Sequence, residues 1–366
     1  MVSVARTGNL ALQRVTINGG SEAIVEHGGV LAVRDSTLSG SLGYAIVTAG
    51  ICVNNDYYQA GRVTIDNAVI SGNGVGGILA SYARRFTVQN STISNNKGSG
   101  IDVGDCSVRI VNSTIAGNNG SGVRTYLDGA QIINSTITGN SGGGHSPDND
   151  TPGKLGGGVY LGSDSAGKLI NSTISGNSAT LGGGVYVGGG EYSSASITNS
   201  TITGNSAQRA GGVYAGNLGD LTLAETIVSG NHARQGREIV ASADPRPQRT
   251  AARFNLFVYS GNSGVVGISP GVPDIVPSQP VGAILSPQLA SNGGATRTHA
   301  LVAGSPAIDA VNDGACPPAA KDQRGVSRPQ DGNGDGGPAC DIGSFELTVG
   351  VVAPLAPPGP PTASVS

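Results

Sequence analysis

Residues 112–133 read NSTIAGNNGSGVRTYLDGAQII, and variants of this phrase return along roughly the first 230 residues. One aliphatic position of the phrase falls at Ile17, Leu38, Ile70, Ile93, Ile115, Ile137, Ile174, Ile202 and Val228. A unit of roughly 22 residues, with insertions in some copies, marks a solenoid. Within the quoted copy, three short runs at 113–115, 122–127 and 130–133 are rich in Val, Ile, Thr and Tyr. They are too short for helices and read as strands, with Gly and Asn as punctuation between them. Three strands per turn describe a coil of a parallel β-helix. A leucine-rich repeat has a similar period, but its Leu-x-x-Leu-x-Leu phrase is missing. The expected architecture is all-β: a parallel β-helix over 1–262, a C-terminal capping module over 263–348 and a Pro-rich linker over 349–366. The chirality of parallel crossovers makes the expected helix right-handed.

Columns account for the residue choices. The aliphatic position points inward and stacks on its equivalent one coil on. The Asn of S-G-N forms a second column at Asn73, Asn96, Asn118, Asn140, Asn177, Asn205 and Asn231. Asn tolerates left-handed backbone angles and can hydrogen-bond along the stack. The leading Asn67, Asn90, Asn112, Asn134, Asn171 and Asn199 form a third column, followed by Ser and Thr columns. Most copies also spell a glycosylation acceptor, but its return at every coil reads as a stacking requirement.

The chain has 61 Gly, no Trp and 12% charged residues, poor material for a helical domain and well suited to tight coils. The net charge is −3 and no basic stripe runs through the sequence, which argues against nucleic acid as a partner. No apolar run is long enough to span a membrane, and Met1 to Val15, with neither a charged start nor a long apolar core, do not read as a secretory signal. The chain reads as a piece of a longer product. Cys316 and Cys340 flank a Gly/Pro-rich segment and are expected to form a disulfide, which would place the protein in an oxidising compartment. Cys52 and Cys106 lie two coils apart, too far for a bond unless the insertion at 52–59 bends, and otherwise read as buried thiols.

The C-terminal segment carries NGG-x-T-x-THAL at 292–301, GSPAID at 304–309, DQRG-x-x-RP at 322–329 and CDIGSFE at 340–346. With these pieces in this order, and with its N-S-T-I-S-G-N coils, most of the chain resembles bacterial surface β-helix proteins of the choice-of-anchor Q kind. The resemblance implies a secreted or surface-displayed right-handed β-helix followed by a variable anchor; it implies no particular activity. Asp309, Asp322, Arg324, Arg328, Asp341 and Glu346 alternate in sign here and are expected to form ion pairs pinning the module to the last coil.

Three sets of residues are candidates for chemistry. Asp331, Asn333 and Asp335 in DGNGDG match the first half of a calcium loop. The twelfth position is Ile342, with Asp341 one place earlier as a substitute ligand, so calcium is a candidate cofactor and a Gly/Asp turn closed by the disulfide is the alternative. Strand alternation places Asp102, Arg124, Tyr160, Tyr186 and Tyr214 in one outward column, flanked by Tyr126. Stacked tyrosines beside polar groups suit an extended glycan. Asp102, Asp105 and Asp128 with Arg124 are the acidic cluster with a basic neighbour that a lyase or hydrolase would need. The loops at 49–61, with Tyr57 and Tyr58, and at 142–156 are expected to leave the coil as binding loops. His299 in THAL reads as structural. The resulting expectation is a secreted or cell-surface rod with a structural or adhesive role, contacting extracellular polysaccharide or cell-surface glycan. The runner-up is a polysaccharide lyase or other carbohydrate-active enzyme.

Overall fold

The computed structural model describes residues 1–5, 8–49, 51–53, 56–58, 60–81, 83–142, 154–190, 192–241, 253–258, 264–311, 316 and 320–348. Each copy of the repeat supplies three short strands, which in the quoted copy are Thr114–Ala116, Val123–Tyr126 and Gly129–Ile133. Every strand pairs in parallel with its equivalent one coil on. Among the described residues this builds three sheets of eleven, nine and ten strands. Val123–Tyr126 belongs to the first sheet, Gly129–Ile133 to the second and Thr114–Ala116 to the third. At about 4.8 Å per strand, the eleven-stranded sheet is about 48 Å long. The architecture is a parallel β-helix. The insertion after Tyr44–Ala49 leaves the coil as an antiparallel hairpin of Ile51–Val53 and Asp56–Tyr58. The side chains of Cys52, Tyr57 and Tyr58, and residues 143–153 of the other insertion, lie outside the described residues.

Register explains the core. Ile70, Ile93, Ile115, Ile137, Ile174 and Ile202 pair directly in sequence along the third sheet, and all are fully buried. Each such side chain contributes about 2 kcal/mol relative to an exposed one. Between coils, buried asparagines carry the hydrogen bonds. Asn118 Oδ1 accepts from Asn96 N at 3.1 Å and Asn96 Nδ2 at 2.9 Å, and Asn118 Nδ2 donates to Asn140 Oδ1 at 2.9 Å. The same bonds repeat from Asn73 to Asn231. The left-handed angle, however, belongs to the residue before each ladder asparagine, a glycine such as Gly117 at φ 64° and Gly139 at φ 66°, or Asn95 at φ 55° before Asn96. The leading column takes it too, with Asn67, Asn90, Asn112, Asn134, Asn171 and Asn199 at φ 47–50°.

The C-terminal module does not sit only on the last coil. It folds back along the outer face of the third sheet. Thr136 Oγ1 donates to Arg297 O at 2.6 Å, Thr173 Oγ1 to Gln323 Oε1 at 2.7 Å, and Asn171 Nδ2 to Lys321 O at 2.7 Å. Ser344 N donates to Thr201 Oγ1 at 3.1 Å, and Ile227 joins the apolar cluster of the module. The ion pairs expected to pin the module to the coil instead hold it to itself. Arg328 pairs with Glu346 at 3.0 Å with both side chains fully buried, and Arg324 pairs with Asp322 at 2.7 Å. Arg328 also donates to the carbonyls of Asp341 and Gly343. The outward Thr and Ser of the third sheet offer hydroxyls and no charge, so neutral polar groups do the docking. No helix among the described residues is long and apolar enough to cross a membrane.

Candidate functional site

The first sheet alternates inward Val and Ile with outward polar or aromatic residues, because successive side chains leave opposite faces of a strand. Its outward positions run in register from Leu79 through Asp102, Arg124, Tyr160 and Tyr186 to Tyr214. Arg124 Nη1 donates to Asp102 Oδ2 at 2.9 Å, and Arg124 Nη2 donates to the Tyr126 hydroxyl. The guanidinium lies over the Tyr126 ring, 4.4 Å from its centre. The rings of Tyr160, Tyr186 and Tyr214 stack almost parallel at 5.2 and 5.5 Å, and Tyr126 tilts onto Tyr160 at 5.3 Å.

The column is not open along its length. Tyr160 is 2% exposed and packs with the buried Leu155 and Leu181. Those leucines belong to a lateral ridge in which Leu155, Leu181, Arg209 and Gln235 bridge from coil to coil. The later copies of the repeat carry extra residues between the third and first sheets, and these cover the ring that alternation alone would leave outside. Tyr126, Tyr186 and Tyr214 remain half-buried. The aromatic ladder is thus a small second core with accessible edges.

Of the four acid-base candidates, the structure brings Asp102 and Arg124 together. Burial raises the Asp102 carboxyl above its ordinary range, and Arg124 pulls it back. Asp105 and Asp128 lie beyond the strand ends, in the turn leading to the second sheet, and neither joins the pair. Asp128 Oδ1 accepts from Ser107 Oγ at 2.7 Å.

The calcium candidates separate. Asp331 accepts from the backbone N–H of Gly334, Asp335 and Gly336, and Asp335 accepts from Gly337 N and Asn333 Nδ2. The loop is closed on its own amides. Asp341 is fully buried elsewhere, accepting from the backbone N–H of Asp309 and Leu347. Among the described residues no group of three or more His, Cys, Asp or Glu stands where it can hold a metal. The donors that would have to meet an ion are aimed at backbone N–H groups instead, so the four residues do not fit one calcium site. Burial raises the carboxyls of Asp341 and Glu346, while Arg328 between them pulls both back. Cys316 and Cys340 form a disulfide with Cα atoms 5.7 Å apart. Cys106 is buried, with Sγ 3.9 Å from Ala80 O.

One feature was not visible in the linear sequence. A groove of about 840 Å³ runs over the outer face of the second sheet, lined by Arg85, Arg109 and Lys168 with Asp128, Asp164 and Tyr192. A hollow of about 590 Å³, lined by Val30, Gly61, Arg62 and Arg85, adjoins it at Arg85. The available signal was phase within the repeat: Arg62 and Arg85 occupy the same strand position of consecutive coils, as do Gln131 and Lys168.

Residues 1–151 match a family model described as a right handed beta helix region. With three parallel sheets wound coil on coil, the fold is a right-handed parallel β-helix solenoid. No curated protein and no solved structure matches the chain. A right-handed β-helix of this kind is compatible with two classes, pectate-lyase-like proteins and surface proteins.

Proposed function

We propose that the protein is a stiff extracellular or cell-surface rod with an adhesive role, contacting glycan along the first sheet. The observation that carries this reading is the in-register column of Tyr160, Tyr186 and Tyr214, locked at one end by the Arg124–Asp102 pair. Coil-on-coil pairing and a buried asparagine ladder make the scaffold rigid. The half-buried rings of Tyr126, Tyr186 and Tyr214 offer apolar edges with hydroxyls, the chemistry that meets sugar rings. The disulfide supports an oxidising compartment. The lyase reading has less support, because the one carboxylate on this face that meets a cation is neutralised by it.

A depolymerisation and retention screen tests this. Pectate, alginate and glycosaminoglycans are incubated with the protein, with and without calcium, and followed for unsaturated products and new reducing ends. The expected outcome is retention without cleavage, weakened by Tyr186→Ala and Tyr214→Ala. Cleavage that Asp102→Ala abolishes would replace the rod with an enzyme, and absence of any retention would remove the glycan contact.

A further inference from the structure

We infer that the outer face of the second sheet is a separate binding track for a linear acidic polysaccharide, held by Arg62, Arg85, Arg109 and Lys168. The two hollows share Arg85 and together reach from Val30 to Lys168. That distance covers six consecutive strands of the sheet, or about 24 Å. The track lies on a different face from the tyrosine column and does not depend on it.

The charges are what single it out. Arg62 and Arg85 pair directly across adjacent strands, an arrangement in which like charges repel. Elsewhere on the same sheet the pairing is compensated, as where Arg34 meets Asp66. Arg62, Arg85, Arg109 and Lys168 are all exposed, and among the described residues none of the four has an ion-pair or hydrogen-bond partner. The two acids at the groove wall are already engaged. Asp128 accepts from Ser107 Oγ, and Asp164 Oδ1 accepts from Tyr192 N at 3.4 Å. The cations therefore remain available to an anion from outside, in a chain whose overall charge is −3.

The shape and the flanking groups choose among anions. The floor between the cations is polar and neutral, with Thr87 and Gln131, groups that suit sugar hydroxyls. The wall carries two exposed apolar side chains, Tyr192 at 75% and Leu127 at 57%. Leu127 holds φ 60°, a left-handed angle that a branched apolar residue adopts only under strain. The coils on either side place Asp105 and Asp164 at that angle. A strained, exposed leucine facing a groove is the kind of feature found at binding sites. A polymer with one negative group per sugar can meet Arg62, Arg85 and Arg109 on three consecutive strands and Lys168 two strands further on, with Gln131 between, and its ring faces can rest on Tyr192. A nucleic acid would want several stacking surfaces, and of the two aromatic residues lining the groove Phe86 is buried and Tyr192 alone is exposed.

The test measures binding of the full chain to polygalacturonate, to dextran sulfate and to neutral dextran, at low and high salt. The two acidic polymers separate a carboxylate preference from a sulfate one. The expected result is salt-sensitive binding of at least one acidic polymer and none of neutral dextran. Arg85→Ser with Arg109→Ser should weaken it about tenfold or more, since hydrogen bonds to charged groups are lost. Both arginines are exposed, so an unchanged melting temperature is expected and confirms that the variant is folded. Tyr186→Ala with Tyr214→Ala should leave the salt-sensitive, arginine-dependent share of this binding intact, whatever it removes from the contact on the first sheet. Equal binding by the double arginine variant, no binding of either acidic polymer, or tighter binding of single-stranded DNA would each overturn the track. Loss only in the tyrosine variant would overturn it while leaving the glycan contact of the first sheet standing.

Discussion

Asn231 Nδ2 donates to Glu238 Oε2 at 2.6 Å, and among the described residues the asparagine ladder ends at this contact. In earlier coils, the oxygen of the next asparagine fills that place. Among the described residues no asparagine follows Asn231 in the ladder, and Glu238 supplies the acceptors. Its Oε2 also takes Asn231 N, and its Oε1 takes Gly230 N at 3.0 Å. The equivalent residues one, two and three coils earlier are Gly212, Gly184 and Gly158. A Cβ at those glycines would approach the ladder Nδ2 atoms to 3.0–3.2 Å. At position 238 the side chain itself takes the place that the next ladder asparagine fills in earlier coils.

Burial pushes the Glu238 carboxyl up to about 8, from an ordinary 4.5. The folded chain thus holds a proton that the unfolded chain releases, and the associated stability is present below the unfolded value and lost as pH rises through about 8. Melting followed by circular dichroism should show the midpoint falling from mildly acidic to alkaline pH. Glu238→Gln should flatten this dependence. At acidic pH it should lower stability by about 1–2 kcal/mol, since its amide sets a donor against Gly230 N–H, a deficit that shrinks or reverses as the wild type loses its own stability toward alkaline pH. A variant with the slope of the wild type would exclude Glu238 as its source.

His299 titrates in the other direction. It sits between Ser175 Oγ and Ser286 O, each at 2.8 Å, and burial holds its imidazole below the ordinary 6.5. Docking of the module is favoured above the unfolded value and weakens as pH falls below it. Protection of 285–301 against hydrogen exchange, taken relative to the intrinsic amide rate at each pH, should fall on acidification in the wild type. His299→Asn should exchange faster already at neutral pH and respond less to acid.

The ladder itself is tested at Asn140. Its Oδ1 accepts from Asn118 N and Asn118 Nδ2, and its Nδ2 donates to Asn177 Oδ1 and Ile115 O. Asn140→Ala leaves two buried donors unmet and should cost about 3 kcal/mol in urea denaturation. Asn90, exposed and at φ 50°, provides the contrast. Asn90→Gly should be close to neutral, because glycine adopts that angle freely.

Within the module, Arg328→Met should cost about 3–5 kcal/mol, because it leaves the Glu346 carboxyl buried without its cation. Reduction of Cys316–Cys340 should lower module stability by roughly 3 kcal/mol, the constraint expected of a loop of this size. Limited proteolysis is the measurement for both. Cleavage should begin in the module while the coils stay intact. Simultaneous loss of the coils would mean that the module and the helix unfold as one unit.

The coils were legible from the residues alone because a solenoid makes sequence neighbours into spatial neighbours. The period fixes which side chains stack, so the isoleucine column, the asparagine ladder and the register of Asp102, Arg124 and the tyrosines follow from spacing. A coil meets only the coil before and after it, and little else enters. The tertiary structure decided what that rule leaves out. The ridge that covers Tyr160 comes from Leu155 and Leu181, whose turns lengthen the repeat. The module lies along the third sheet through contacts such as Thr136 with Arg297, more than a hundred and fifty residues apart. Arg62, Arg85, Arg109 and Lys168 form one charged track although insertions and phase shifts scatter them along the chain. Periodicity determines which residues share a column; only the folded chain determines what closes over a column and which columns lie side by side.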